Sequence, residues 1–414
     1  MNKVTLQNQY TKIMLLIVCG LLFRNTLGTV LGTSASWLPI LGLFIFTAFY
    51  FLSVLKNSKM QVNQILFLVY IFYLLFLMLF FPIFSEFGSY PSAIIGFSNL
   101  ATIPCFWFFL FRKGYSKELV NCCVSLFIFV GVINSIFSFV QFFYSENLFG
   151  LITNDIYANG EVLMNENVSR RAISFIASPQ SLSLYLAFSF ALTFRYSSGN
   201  SFILASRLII LMSGVLTVSK AFFVFVVVFV VANYFSFKSL FKGGLILMVF
   251  LSFVAFFRDS LGRVIQIFEF ISEPEKYSAY VIWRDSFLYG VEFPEALFGR
   301  GIGVFSRGSQ MLFDYVLLFG SAESFFIQIL VELGVFGLVL FTLLLFVSLS
   351  SLLAHERVIF SSLCGFIVVG LFSPAIYGYS VGVCFYFCLV LGFLVRNKEQ
   401  SNRVFLRRNS NSVI

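Results

Sequence analysis

The chain is a succession of uninterrupted apolar runs, and this constrains its fold more than any other feature. Runs can be read at about 11–32, 36–55, 62–84, 93–111, 119–143, 179–194, 201–217, 221–236, 243–257, 323–347, 358–375 and 379–395. A helix needs about 20 apolar residues to cross a bilayer, and most of these runs come near that length. They are continuous rather than alternating, which excludes a transmembrane β-barrel. The expected fold is therefore an all-α polytopic membrane protein with about 12 transmembrane helices. Composition agrees: charged residues are only 11% of the chain and mean hydropathy is +0.96, against roughly 25% charged in a soluble domain. A soluble enzyme, a disordered chain and a nucleic-acid-binding domain are excluded. The first run reads as a retained helix, since no small-residue cleavage pattern follows it.

Charge orients the runs. With both termini on the cytoplasmic side, that side holds 17 of the 27 basic residues and three of the 18 acidic ones. The outer side holds nine basic and 14 acidic residues, while Arg24 and Glu332 fall inside spans. The net charge of +9 thus mostly encodes orientation, as the positive-inside rule requires. Among the short loops, the one carrying Lys220 breaks the rule.

Two outer connections are long, at about 144–178 and 258–322; the others are short. Long connections between packed helices are usually functional or disordered, and these carry too many aromatic and aliphatic residues to read as disordered. The expected organisation is helices 1–5 over 1–143, a first large loop over 144–178, helices 6–9 over 179–257, a second large loop over 258–322, helices 10–12 over 323–395, and a cytoplasmic tail over 396–414 that reads as a lipid-surface contact.

The candidates for chemistry are the basic residues on the outer side, where the rule disfavours them: Arg170, Arg171, Lys220, Arg258, Arg263, Lys276, Arg284, Arg300 and Arg307. Arginine forks match phosphate geometry; the plain alternative is solvated faces paired with outer acids. Arg284 has the sharpest argument. In EKYSAYVIWRDSFLYG, helical periodicity puts Tyr277, Tyr280, Val281, Phe287 and Leu288 on one face with Arg284 in its middle. Either a short amphipathic helix on the membrane surface aims Arg284 into a substrate cavity, or Arg284 snorkels to lipid head groups. Arg170 and Arg171 precede Ser178-Pro179, a helix start, and read as pyrophosphate contacts or as a juxtamembrane anchor. LFGRGIGVFSRG alternates Gly299, Gly301 and Gly303 around Arg300. It fits a turn better than an anion nest, and no nucleotide loop.

Glu323 follows Ser321 at a helix start, where the dipole favours a carboxylate. It reads as a first-turn acid, or as a general base or clamp for an acceptor hydroxyl. Glu332 lies deeper and is read as a helix-packing site; Arg24 is its partner or a lipid-phosphate contact. Glu273-Pro274-Glu275 reads as a solvated loop, His355 as surface, and the seven cysteines as small hydrophobes. No metal-ligand spacing is present, so no metal or other cofactor is expected.

The layout and several strings resemble the Wzy-type O-antigen polymerases, within the superfamily that also holds the O-antigen ligases. SAESFFIQILVELGVFGLVLF is similar to the family's helix after the second large loop, with its core at Glu332, Leu333 and Gly334. FGRGIG resembles the glycine-rich string before it, and RRAISFIASPQSLSLYLAF the stretch after the first large loop. LTVSKAFFVFV resembles the family's Ser-Arg turn, with Lys220 where arginine is usual. The resemblance covers roughly residues 165–345. It implies a GT-C-like, metal-independent membrane glycosyltransferase of the bacterial inner membrane, with short amphipathic helices in two large periplasmic loops. Such an enzyme moves a growing undecaprenyl-pyrophosphate-linked chain onto a sugar hydroxyl of the next lipid-linked repeat, with a chain-length regulator as partner protein. The ligases use a histidine in the second large loop. This chain has none there; its one histidine is His355. A lipid-linked oligosaccharide flippase is the other reading, but it fits poorly with a long outer loop and sparse intramembrane charge.

Overall fold

The computed structural model describes residues 12–13, 16–31, 35, 37–55, 62–84, 90–114, 117–144, 172, 174–176, 178–196, 199–217, 219–234, 278–304 and 323–411. Among these there are helices and turns and no strands. The helices are α1 (Arg24–Leu31), α2 (Leu38–Leu55), α3 (Val62–Phe84), α4 (Tyr90–Phe97), α5 (Ile103–Gly114), α6 (Lys117–Tyr144), α7 (Pro179–Thr193), α8 (Ser201–Leu216), α9 (Lys220–Asn233), α10 (Ser278–Gly290), α11 (Phe325–His355), α12 (Arg357–Gly370) and α13 (Tyr379–Asn411).

Among the described residues three stretches are long and apolar enough to cross a membrane: Tyr90–Phe111, Lys117–Phe142 and Phe325–His355. Shorter apolar helices accompany them at Gln64–Phe80, Ser201–Leu216, Lys220–Asn233, Arg357–Gly370 and Tyr379–Val395. Outward faces carry bulky apolar side chains such as Phe72, Phe202, Leu204 and Phe346, a surface that suits lipid rather than water. The expected span at 243–257 and most of both large loops lie outside the described residues.

Helix starts follow local chemistry. Ser178 Oγ accepts from the Ser181 amide, with Pro179 in the first turn of α7. Asn200 caps α8 through the Phe202 amide, and Ser324 caps α11 through Ile327. Buried serines within helices, including Ser135, Ser138 and Ser362, donate to carbonyls four residues back, which satisfies these hydroxyls away from water.

The core centres on the first half of α13, buried on all sides from Val381 to Val395. It packs against α5, α7, α11 and α12. Phe385 makes edge or tilted contacts with Phe325, Phe366 and Tyr386 and stacks on Phe341. α9 packs on α12, where Phe225 lies against Gly365 and Phe366.

Four runs differ from expectation. The run at 93–111 is two helices, α4 and α5, joined by a π-helical turn at Ser98–Thr102. The first run is interrupted by a turn at Phe23 before α1. The run at 323–347 extends to His355 and is broken at Gly334, whose φ of 69° and ψ of −175° are not helical. The last run continues as helix to Asn411, so the backbone of the expected tail is helical to that residue.

At one end of the bundle Arg195 makes a two-pronged ion pair with Glu356, at 2.7 and 3.0 Å. Arg207 bonds the Thr193 carbonyl and hydroxyl and lies over the Phe194 ring. The opposite end carries the starts of α7, α9 and α11.

Candidate functional site

At that opposite end the structure gathers several of the residues singled out above. α10 packs on α11. Its packed side is Ser286, Tyr289 and Gly290, with Tyr289 against Ile327, Val331 and Val304. Arg284 lies on the other side, exposed among Trp283, Phe287 and Leu288. Of the expected stripe, Phe287 and Leu288 accompany Arg284 on this exposed side and Val281 is half-buried. This side faces away from α11, because the small residues Ser286 and Gly290 permit close approach to that helix. The Arg284 Nε bonds the Asp285 carboxylate at 2.9 Å.

Glu323 does not stand in the first turn of α11. Ser324 is the cap, the helix starts at Phe325, and Glu323 precedes both with a left-handed φ of 48°. It is half-buried. Arg284 and Glu323 belong to segments tied to one turn. The Trp283 indole donates to the Leu371 carbonyl at 3.1 Å, and the Ser324 hydroxyl donates to the Gly370 carbonyl at 3.1 Å. The end of α12 thus joins the two segments.

Arg300 is part of the framework. Its guanidinium bonds the Glu292 carboxylate and the Tyr289 carbonyl and lies over the Tyr289 ring, 3.6 Å from its centre. Burial raises the Tyr289 phenol above its ordinary range, and Arg300 opposes the shift.

Lys220 is the first residue of α9 and is half-buried. The preceding Ser219 accepts a bond from Ser183 on α7. Arg170 and Arg171 lie outside the described residues, as do Arg258, Arg263, Lys276, Arg307, Glu273 and Glu275. Ala172, which follows the arginine pair in sequence, donates its amide to the Leu216 carbonyl at the turn before Lys220.

The glycine-rich string serves close backbone approach. Gly299, Gly301 and Gly303 all have positive φ. The loop lies in the break of α11: the amides of Val335 and Phe336 donate to the carbonyls of Ala296 and Leu297, and the Arg300 amide donates to Val331. A Cβ on Gly299 or Gly334 would fall closer than 3.0 Å to backbone of the other segment. The loop's far side meets α4, where Gly303 abuts Ser92 and Gly96. Tyr73 closes the junction by donating to the Leu333 carbonyl at 2.6 Å.

Beneath this junction Glu332 is fully buried. Tyr377 donates to its carboxyl at 2.7 Å and the Gln328 amide at 3.1 Å. Arg24 lies over the rings of Tyr379 and Trp37, and Tyr379 is hydrogen-bonded to Ser98 on the π turn. Sequence reasoning missed Tyr377, Gln328 and Tyr379. The break itself had a signal, the Glu-Leu-Gly string inside a long apolar run, which also fits ordinary helix packing. Among the described residues no cluster of His, Cys, Asp and Glu has metal-binding form.

Comparison of the chain with protein-family models and with curated proteins finds no match.

Proposed function

We propose that the chain is a polysaccharide polymerase of the Wzy type. It transfers the growing undecaprenyl-pyrophosphate-linked chain onto a sugar hydroxyl of the next lipid-linked repeat, at the periplasmic face of the bacterial inner membrane. One observation carries the reading: the segments holding Arg284 and Glu323, some 40 residues apart in sequence, are both bonded to the turn at Gly370 and Leu371. A cation set in an exposed apolar stripe suits an amphiphile with an anionic head and a hydrocarbon tail.

Attack by a neutral hydroxyl on an anomeric carbon has two needs. The departing pyrophosphate must be stabilised, and the hydroxyl must be held and deprotonated. Arg284 meets the first, with Arg170, Arg171 and Lys220 in support, as fixed cations facing a developing anion. Arg300 contributes by fixing the loop between α10 and α11. Glu323 meets the second as base. Direct displacement inverts the anomeric centre.

The test is chain extension by purified protein supplied with a lipid-linked repeat. Arg284→Ala and Glu323→Gln should each abolish extension, and wild-type extension by both variants refutes the assignment. In cells, deletion should leave lipopolysaccharide capped with a single repeat. A deletion that leaves no repeats points instead to a flippase or a ligase.

A further inference from the structure

The surface of α11 changes at its break. From Phe325 to Gly334 every residue is buried except the half-buried Phe326. Just beyond, Val335, Phe336, Val339, Leu343 and Phe346 are exposed and share one side of the helix by periodicity. The apolar stretch ends at His355, next in sequence to the ion-paired Glu356. From Val335 to His355 the helix rises about 30 Å at about 1.5 Å per residue, the thickness of a bilayer's hydrocarbon core. The lipid-facing part of α11 therefore starts at the break and not at the start of the helix.

α10 covers the first turns of α11. Trp283 is bonded to the Leu371 carbonyl, at the turn that also holds Ser324, and Gly290 abuts Leu330 and Val331. α10 thus runs along α11 towards the break. The segment 291–298 completes this course, where the Ala296 and Leu297 carbonyls accept from the Val335 and Phe336 amides. At this level Val291, Phe293, Leu297 and Phe298 are exposed, Phe293 by 76%. The Phe298 ring stacks on that of Phe336, with centroids 5.9 Å apart, so this apolar surface is continuous with the outward side of α11. Arg284, Phe287, Leu288 and Val291 follow at helical spacing along the exposed side of α10. The cation stands at the end farther from the hydrocarbon.

A segment facing water rarely exposes so many bulky apolar side chains together. An irregular segment can lie at the edge of the hydrocarbon only if its backbone groups are satisfied within the protein. Here the amides of Val291, Ala296 and Gly299 donate to the carbonyls of Phe287, Glu292 and Glu295, in addition to the bonds with α11. Glu292 is paired with Arg300, and Glu295 is half-buried.

We propose that residues 284–298 are an interfacial insert that docks on one leaflet of the bilayer. Val291, Phe293, Leu297 and Phe298 enter the upper part of the acyl chains, and Arg284 stands among the lipid phosphates. This docking is independent of the proposed transfer reaction.

The test is tryptophan fluorescence of the full chain in phosphatidylcholine nanodiscs. The lipid is brominated near the top of its acyl chains, brominated near their ends, or labelled with a head-group nitroxide. Phe293→Trp adds a reporter at an exposed site of the segment, read as the difference from wild type. Phe346→Trp adds one about midway along the lipid-facing part of α11. The Phe293→Trp reporter should lose more emission to the shallow bromines than to the deep ones, and the Phe346→Trp reporter the reverse. Trp283, read as the difference between wild type and Trp283→Phe, should lose more emission to the head-group nitroxide than to either bromine. If the Phe293→Trp reporter is quenched by iodide in solution and by neither brominated lipid, the segment faces water and the proposal is overturned. Quenching by none of these probes also overturns it, because protein then covers the surface. Indifference of Trp283 to the head-group nitroxide overturns the place given to Arg284. Failure of purified protein to extend polysaccharide would refute the proposed function and leave this readout intact.

Discussion

Replacing Gly334 with alanine tests the junction between loop and helix. Residue 334 has φ 69° with an extended ψ, a conformation that costs a residue with a Cβ about 1–3 kcal/mol. The new Cβ would also collide with the Gly299 amide nitrogen and the Leu297 carbonyl. Neither is a flexible side chain, so the loop must move. Movement breaks the bonds from Arg300 to Val331, from Val335 to Ala296 and from Phe336 to Leu297, each worth about 1 kcal/mol. The expected loss is about 4–6 kcal/mol, measured by reversible unfolding in mixed micelles. Gly42→Ala is the control. Its nearest neighbour would be Ile17 at 3.8 Å, so it should be neutral or stabilising by up to about 1 kcal/mol. Gly299→Ala disturbs the same junction, so the double variant should lose less than the two single losses combined. A Gly334→Ala protein within about 1 kcal/mol of wild type refutes the account of the break.

Other sites give independent checks. Arg195→Ala or Glu356→Ala should cost about 2–3 kcal/mol, since the pair is only 16% exposed on each side; a double-mutant cycle should return a coupling well above that of a surface pair. Trp283→Phe removes the indole bond to Leu371 and should cost about 1 kcal/mol, with faster amide exchange in α10. Phe225→Ala empties a fully buried site facing Gly365 and should cost about 3–5 kcal/mol by thermal unfolding.

The sequence determined the helical, lipid-suited class, because continuous apolar runs with few charges leave a chain no other way to satisfy its backbone. It located α3 at both ends and α6 and α7 to within a residue or two, where caps and charges flank uniform runs. It also singled out Arg284, Arg300 and Glu323 among the charges of the chain. Only the tertiary structure decided what these residues touch. Periodicity defines a stripe on α10 but not which side approaches α11; small residues on the opposite side settled that. Arg300 reads in sequence as a cation facing outward, and in the fold it clamps Tyr289 and Glu292. The break at Gly334 is the clearest case. A glycine in an apolar helix is compatible with straight packing, and what bends this one is a loop from some 35 residues upstream, whose backbone supplies the hydrogen bonds that the helix gives up. Contacts between distant segments leave no periodic trace in either segment, so they become visible only when both are in place.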